Sequence, residues 1–292
     1  MNKGWKPATS RRRTLKLATG VATISTIGSV NATAQDSQQN TPTEIEDWYD
    51  LDGVRDDLDG DYILVNQLDE TTEGYGDVAG SDANSGDGFK PIGDSDNPFT
   101  GNFNGNIKNI INVVIDRQDE TKVGLFGVTD QALLRNIRVI NADITGKDEV
   151  GTVVGENSGS EITNVHAGGK ATGNNQSDAE FAFAIVGGLV GTNIGEVSNS
   201  TAVSGVSADG KFTNAGGLVG ANRPDGTVSD SYATGDVTSS SGDVGGLVGA
   251  NRGEVNSSYA TGNVTGPQFV GGLVGQNRMG TITKSYATGT VT

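Results

Sequence analysis

Cysteine is absent from the 292-residue sequence, and histidine occurs once, at His166. The first absence removes disulfide frameworks, thiolate metal sites, thiol nucleophiles and lipid carried on a processed N-terminal Cys. The second removes the two histidines, one helical turn apart, that a zinc metallopeptidase needs. Aromatic residues are only 5% and prolines number 6. Bases are scarce too: 20 Lys+Arg stand against 36 Asp+Glu, a formal net charge of -16. Such a chain repels the phosphate backbone, which excludes nucleic acid as a partner. No apolar run reaches the roughly 20 residues that span a bilayer, so no transmembrane segment is expected.

What the chain has in excess is glycine, 45 residues in all. That is roughly twice the average usage of about 7%. A glycine costs about 1 kcal/mol relative to alanine inside a helix, so the excess points to many tight turns. No strict three-residue glycine period runs through the chain, which excludes collagen.

Residues 1–34 hold Lys3, Lys6, Arg11, Arg12, Arg13 and Lys16 and no acid. A mildly apolar run from Leu17 to Val30 and a small-residue site at Ala32-Thr33-Ala34 follow, the order of an export signal. Ser10-Arg11-Arg12-Arg13-Thr14-Leu15-Lys16 resembles the twin-arginine type, with Thr14 where that pattern usually has Phe. Removing six of the 20 bases leaves 14 against 36 acids, or -22. So acidic an exported chain resembles those of halophilic archaea, where dense carboxylates keep a surface hydrated when salt screens charge to a few Å. The expected location is extracellular or at the cell surface.

Behind the signal lies an array. Gly-Gly-Leu-Val-Gly begins at Gly187, Gly216, Gly245 and Gly271, at spacings of 29, 29 and 26. Each copy runs into an Asn (Asn193, Asn222, Asn251, Asn277), and a second block follows, clearest at Ser231 to Gly235, Ser258 to Gly262 and Ser285 to Gly289. Looser copies start at Gly124 and Gly151, and Phe99 to Gly105 with Ile107, Ile110, Val113 and Ile115 reads as the opening turn. Apolar residues alternate within each copy, and Gly and Asn break the runs where corners turn. One coil cannot bury its inward face, but stacked coils bury a continuous narrow core. The fold class is therefore all-β, a parallel β-helix of about seven coils. Asn193, Asn222, Asn251 and Asn277 are expected to stack as a structural ladder about 4.8 Å per step.

The domain reading is a signal peptide over 1–34, a disordered linker over 35–42, an acidic capping region over 43–96 and the solenoid over 97–292. In the capping region Thr43 with Glu46 fits a capping box, Ile45, Trp48, Tyr49 and Leu58 suit a helix face, and Tyr62 to Val65 reads as a strand. The repeat varies in length before each new motif, as at Val206 to Ala215 and around Asn174 to Glu180, which places loops on one edge of the rod. The sequence stops at Thr292 after a repeat block, which leaves an uncapped edge and the alternative of an N-terminal fragment.

The repeated Gly-Leu-Val-Gly followed by Asn is similar to the GLUG motif family, seen in filamentous-haemagglutinin-like adhesins and in non-catalytic parts of immunoglobulin A-specific metallopeptidases. Gly88 to Gly93 with Pro98 to Gly105 also resembles the segment that precedes such repeats, departing at Asn104, where Asp is usual. The resemblance covers residues 60–292 and implies a secreted or surface interaction module, adhesin-like and non-enzymatic.

No catalytic or cofactor-binding set is legible. His166 falls in repeat register with Thr201 and Tyr232, as a column variant. Asp94-Ser95-Asp96-Asn97 is the densest oxygen cluster and the weak candidate for Ca²⁺, a hydrated loop being the plainer reading. Arg223, Arg252 and Arg278 each follow the ladder Asn and form a basic stripe, for which Asp225 and Glu254 are the natural surface partners, an anionic-glycan site being the alternative. The alternative class is a carbohydrate-active β-helix enzyme, a polysaccharide lyase or hydrolase, which needs carboxylates converging on a groove. Glu196, Asp225, Asp230, Asp236, Asp243 and Glu254 lie at unlike phases, so only the fold can unite them. Asn175, Asn199, Asn256 and Asn263 head sequons and are candidate glycosylation sites. Glycans or cell-envelope proteins are the expected kinds of partner.

Overall fold

Alternating short runs dictate strands whose inward residues recur once per copy, and the copies stack in register. The computed structural model describes residues 41–177 and 182–292. The segment read as an export signal, most of the linker and Asp178 to Glu180 lie outside the described residues. The strands form three parallel sheets of nine, fifteen and six strands; a coil adds one strand to the nine- and six-stranded sheets and up to three to the fifteen-stranded one. The fold is a parallel β-solenoid. The six-stranded sheet counts six complete turns, and the nine-stranded sheet carries partial turns beyond them; the expected seven had counted some of these as whole.

Identical phases place like residues in columns. In the nine-stranded sheet one inward column runs Tyr62, Phe103, Leu134, Ile162, Val197, Val228, Val255, Ile282. In the fifteen-stranded sheet another runs Ile110, Val139, Ala167, Ala202, Ala233, Ala260, Ala287. The six-stranded sheet contributes Phe126, Val154, Val190, Val219, Val248 and Val274. All three columns lose bulk toward the C-terminal side, so the core tapers. Its wide end is filled by Phe99, Phe103 and Phe126, with ring centroids 5.1 and 5.3 Å apart. Each valine of the narrow end contributes roughly 1.5–3 kcal/mol by burial.

The motif glycines are fixed by backbone crowding. A Cβ on Gly217 would stand 2.1 Å from the carbonyl oxygen of Gly246 in the next coil, and one on Gly216 2.0 Å from the carbonyl of Val219. Another corner is turned by left-handed residues: Asn136, Asn164, Asn199, Asp230, Ser257 and Lys284 all have φ between 48° and 55°. Asn and Asp tolerate that region best among side-chain-bearing residues, which explains their share of the column.

The N-terminal region is woven into this frame. Thr43–Ile45 and Asp61–Leu64 are strands at the end of the nine-stranded sheet, paired with each other and, through Asp61–Leu64, with Asn102–Asn104. The expected capping box at Thr43 and Glu46 does not form, because Thr43 is committed to that ladder. The helix is Trp48–Asp52, and its N-cap is Asp47, whose carboxylate accepts from the Asp50 N–H. Trp48 and Leu51 are buried while Tyr49 is exposed. Ile107, expected inside, is 61% exposed, because it occupies a left-handed corner at φ 57°. In the Val206 to Ala215 stretch the expected loop is instead two strands, Gly205–Gly210 and Phe212–Gly216, whereas the corresponding stretches at 240–242 and 267–269 are bends outside the strands.

Candidate functional site

The Val-Gly-X-Asn run of each copy, with Glu156, Thr192, Ala221, Ala250 or Gln276 at X, carries the Asn of the row. Asn157 Nδ2 donates to Asn193 Oδ1, Asn193 to Asn222, Asn222 to Asn251 and Asn251 to Asn277, at 2.8–2.9 Å. The looser Gly151 copy thus supplies a rung, and each Nδ2 also reaches a backbone carbonyl of the turn that follows it. This row is scaffold: Asn193, Asn222 and Asn251 are buried.

Outside the same strands, a groove of about 520 Å³ crosses the coils. Its floor is built from the small residues Ala221 and Ala250, with Thr192 in the same column of the six-stranded sheet. One wall is Arg223, Arg252 and Arg278. The other is Glu149, Ile185, Asn214 and Asp243, which stack in one register position before the Val-Gly of each motif. Phe183 and Phe212 stand on that second wall, 37% and 46% exposed, with ring centroids 5.5 Å apart and tilted by 34°. From Glu149 to Arg278 the groove spans four coil steps, roughly 15–20 Å at one strand spacing each.

The carboxylates of the groove are held tightly. Asp148 accepts from the backbone N–H of Ile185 at 2.9 Å and of Glu149 at 2.8 Å. Burial nevertheless raises its pKa, against the pull of those bonds and of Arg223. Glu149 sits at φ 53° and accepts from the Thr192 hydroxyl at 3.0 Å. Burial, reinforced by Glu156, pushes its carboxyl up to about 7, although Thr192 and Lys122 oppose the shift. Lys122 pairs with Glu156 at 2.9 Å. Asp243 is raised by burial, with Arg278 3.9 Å away and Arg252 also lowering it.

Of the arginine stripe, Arg278 finds an acid across the groove, Asp243. The expected partners Asp225 and Glu254 make no salt bridge with the stripe among the described residues, and neither lines the groove. Of the acids scattered in sequence, the fold brings Asp243 into this site and joins it to Asp148 and Glu149; Glu196, Asp225, Asp230, Asp236 and Glu254 do not line the groove. Asp148, Glu149, Phe183 and Phe212 carried no motif. Their only sequence signal was position just before each motif, in the stretch of variable length.

The other singled-out residues are placed as follows. His166 pairs in register with Thr201 and Arg138, and burial followed by Arg138 lowers its pKa. Asp94 uses its Oδ1 to accept from the N–H groups of Asp96 and Asn97, at 3.0 and 2.8 Å, as a turn-former. Among the described residues no three His, Asp or Glu side chains are grouped to hold a metal ion. Asn199 and Asn263 are exposed at corners and Asn256 is half-buried. Asn175 is 5% exposed and its Nδ2 donates to the Phe183 carbonyl, so its amide is not offered to a glycan. Tyr232, Tyr259 and Tyr286 stack face to face at 4.8 and 5.3 Å on another surface. No helix among the described residues is long and apolar enough to cross a membrane.

Comparison with known proteins agrees with this geometry. The family model of the GLUG motif matches residues 213–238 and 269–292. Halomucin of Haloquadratum walsbyi is 36% identical over 159 residues, 52% of this chain and 2% of halomucin. A candidate Gly-rich membrane protein of Evansella cellulosilytica is 40% identical over 137 residues, 45% of this chain and 15% of that one. The chain thus spans a small fraction of the curated relatives it matches. A crystal structure of a candidate immunoglobulin A1 protease from Bacteroides ovatus superposes with a TM-score of 0.66 at 19% identity, over 85% of this chain and 76% of that one. At that identity the likeness concerns the fold alone. The chain is a parallel β-solenoid in which two segments, residues 213–238 and 269–292, match the GLUG motif.

Proposed function

We propose that this chain is exported and held outside the cell as a non-enzymatic, adhesin-like interaction module. The observation that carries the reading is the division of labour within each coil. Gly, Leu, Val and Asn of the motif are buried in the scaffold, whereas the outward positions carry the arginines, phenylalanines and tyrosines that a partner can touch. Similarity to halomucin and to a Gly-rich membrane protein supports a surface location, as does the basic and then apolar order of residues 1–34. The test is fractionation of the native host with antibody against the solenoid. The protein is expected in the medium or surface fraction, and Arg11→Lys with Arg12→Lys is expected to trap it inside; wild-type protein confined to the cytoplasm refutes the reading.

A second reading, a polysaccharide-degrading β-helix enzyme, draws support from the Asp148, Glu149 and Asp243 carboxyls in one groove. A carboxyl titrating near 7 can act as a general acid toward a glycosidic oxygen. Reducing-sugar release from a polysaccharide panel, abolished by Glu149→Gln, would replace the first reading with this one.

A further inference from the structure

We propose that the groove between the arginine row and the Phe183 and Phe212 wall binds a uronate-bearing polysaccharide, with the two phenylalanines against sugar-ring faces and the arginines on ring carboxylates. The inference deepens the surface-module reading, since it requires access to an external polymer. It does not depend on how the chain reaches the surface.

Three features of the site select this ligand. The groove runs across successive coils over a small-residue floor, which suits a linear polymer more than a compact molecule. Its walls offer different chemistry: guanidinium groups on one side, exposed aromatic faces on the other. Ring faces of a sugar are apolar and their edges are hydroxyls, so one pyranose can satisfy both walls at once. Third, the negative charges of the groove are already engaged. Asp148 is capped by two backbone N–H groups, Glu149 by Thr192, and Asp243 lies beside Arg278. Arg223 and Arg252 have no salt bridge among the described residues, and they stand one coil apart on an otherwise acidic rod. Unengaged guanidinium groups at a fixed repeat favour carboxylates at a fixed repeat, bidentate where geometry allows. A flexible acidic peptide has no rigid flat faces for the phenylalanines and places charge densely, which the -16 chain repels.

The experiment uses the purified full chain in affinity electrophoresis through gels containing alginate, dextran or poly-L-glutamate. Alginate is expected to retard the protein strongly and dextran weakly. Phe212→Ala with Arg252→Gln is expected to weaken alginate retention at least tenfold, while Tyr286→Ala, on the stacked tyrosine row, leaves it unchanged. Far-UV circular dichroism and the unfolding midpoint of each variant show whether the fold is intact. If the double variant unfolds, Arg252→Gln alone is read in its place, with an expected loss of at least threefold. No alginate retention, equal retention by dextran, equal retention by poly-L-glutamate, or an unchanged variant each overturns the proposal. None of these results touches the fractionation test.

Discussion

Asn222→Ala removes one interior rung of the buried amide row. The Asn222 side chain accepts from Asn193 Nδ2 at 2.8 Å and donates to Asn251 Oδ1 at 2.9 Å and to the carbonyl oxygens of Gly226 and Glu254 at 3.1 and 3.3 Å. Truncation leaves Asn251 Oδ1 without the donor it uses and strips one bond from the Gly226 carbonyl, both in a place water does not reach. Asn193 Nδ2 keeps the Gly195 carbonyl at 3.1 Å, so it is only partly orphaned. At about 1–3 kcal/mol for each buried group left unsatisfied, the loss is expected at about 3–5 kcal/mol. Asn277 is the contrasting case, because it is exposed and water can replace its bonds to Asn251 and to the Gly280 carbonyl. Its truncation should cost under about 1 kcal/mol. Equilibrium urea unfolding, followed by circular dichroism and by hydrogen exchange of the Val219–Asn222 strand, measures both. If Asn222→Ala costs no more than Asn277→Ala, the row contributes nothing beyond the backbone ladders and the reasoning fails.

Other outcomes follow from single contacts. Gly217→Ala drives a methyl group against the Gly246 carbonyl at 2.1 Å, whereas Gly205→Ala meets nothing within 4 Å. The first is expected to destabilise by more than about 3 kcal/mol, and the second to stabilise by about 0.4–1 kcal/mol through the unfolded chain; similar urea midpoints would contradict the crowding argument. Arg55 lies 5.2 Å over the Phe89 ring, donates to the Lys90 carbonyl at 2.7 Å and pairs with Asp52, with burial lowering its pKa to about 10. Arg55→Ala should detach the N-terminal turns first, seen as faster proteolysis before Gly101 while the later coils stay protected. Glu149 has a folded-state pKa raised from 4.5 to about 7, so the stability its proton supplies is complete below 4.5 and is lost as pH rises to 7. Glu149→Gln should therefore gain stability at pH 8, by at most about 3 kcal/mol, and change little at pH 4. An equal gain at both pH values would show that the carboxyl is not buried as described.

The solenoid was legible because its determinants repeat. Gly217 and its counterparts, the Val219 column and the Asn222 row recur at nearly fixed spacing, so register could be read without coordinates. Ile107 and the Thr43–Glu46 pair misled for one reason: in each, a local pattern competed with a tertiary demand, a left-handed corner or a sheet edge, and the demand won. The groove was half visible. Arg223, Arg252 and Arg278 are tied to the motif and could be seen as a stripe. The facing wall, Glu149, Ile185, Asn214 and Asp243, lies where copies differ in length and in residue type, so nothing in one dimension aligned it. Arg278 accordingly found its partner, Asp243, in space rather than in the nearest acid of the sequence.

The amide row has a consequence for how such a molecule can change length. Every interior rung accepts from the coil before and donates to the coil after, so a rung is complementary to a shifted copy of itself. In the separate corner column nearer the other end the side-chain bonds run backward, from Asn164 to Asn136 to Asn104. There the columns pass through Tyr62, Phe103 and Leu134, each of a different shape. A whole coil of valine, alanine and asparagine could be duplicated or lost with no contact left unmatched, whereas the aromatic coils are not interchangeable. Unequal recombination between copies would then act as a length adjustment confined to one half of the rod, lengthening or shortening the groove one arginine at a time.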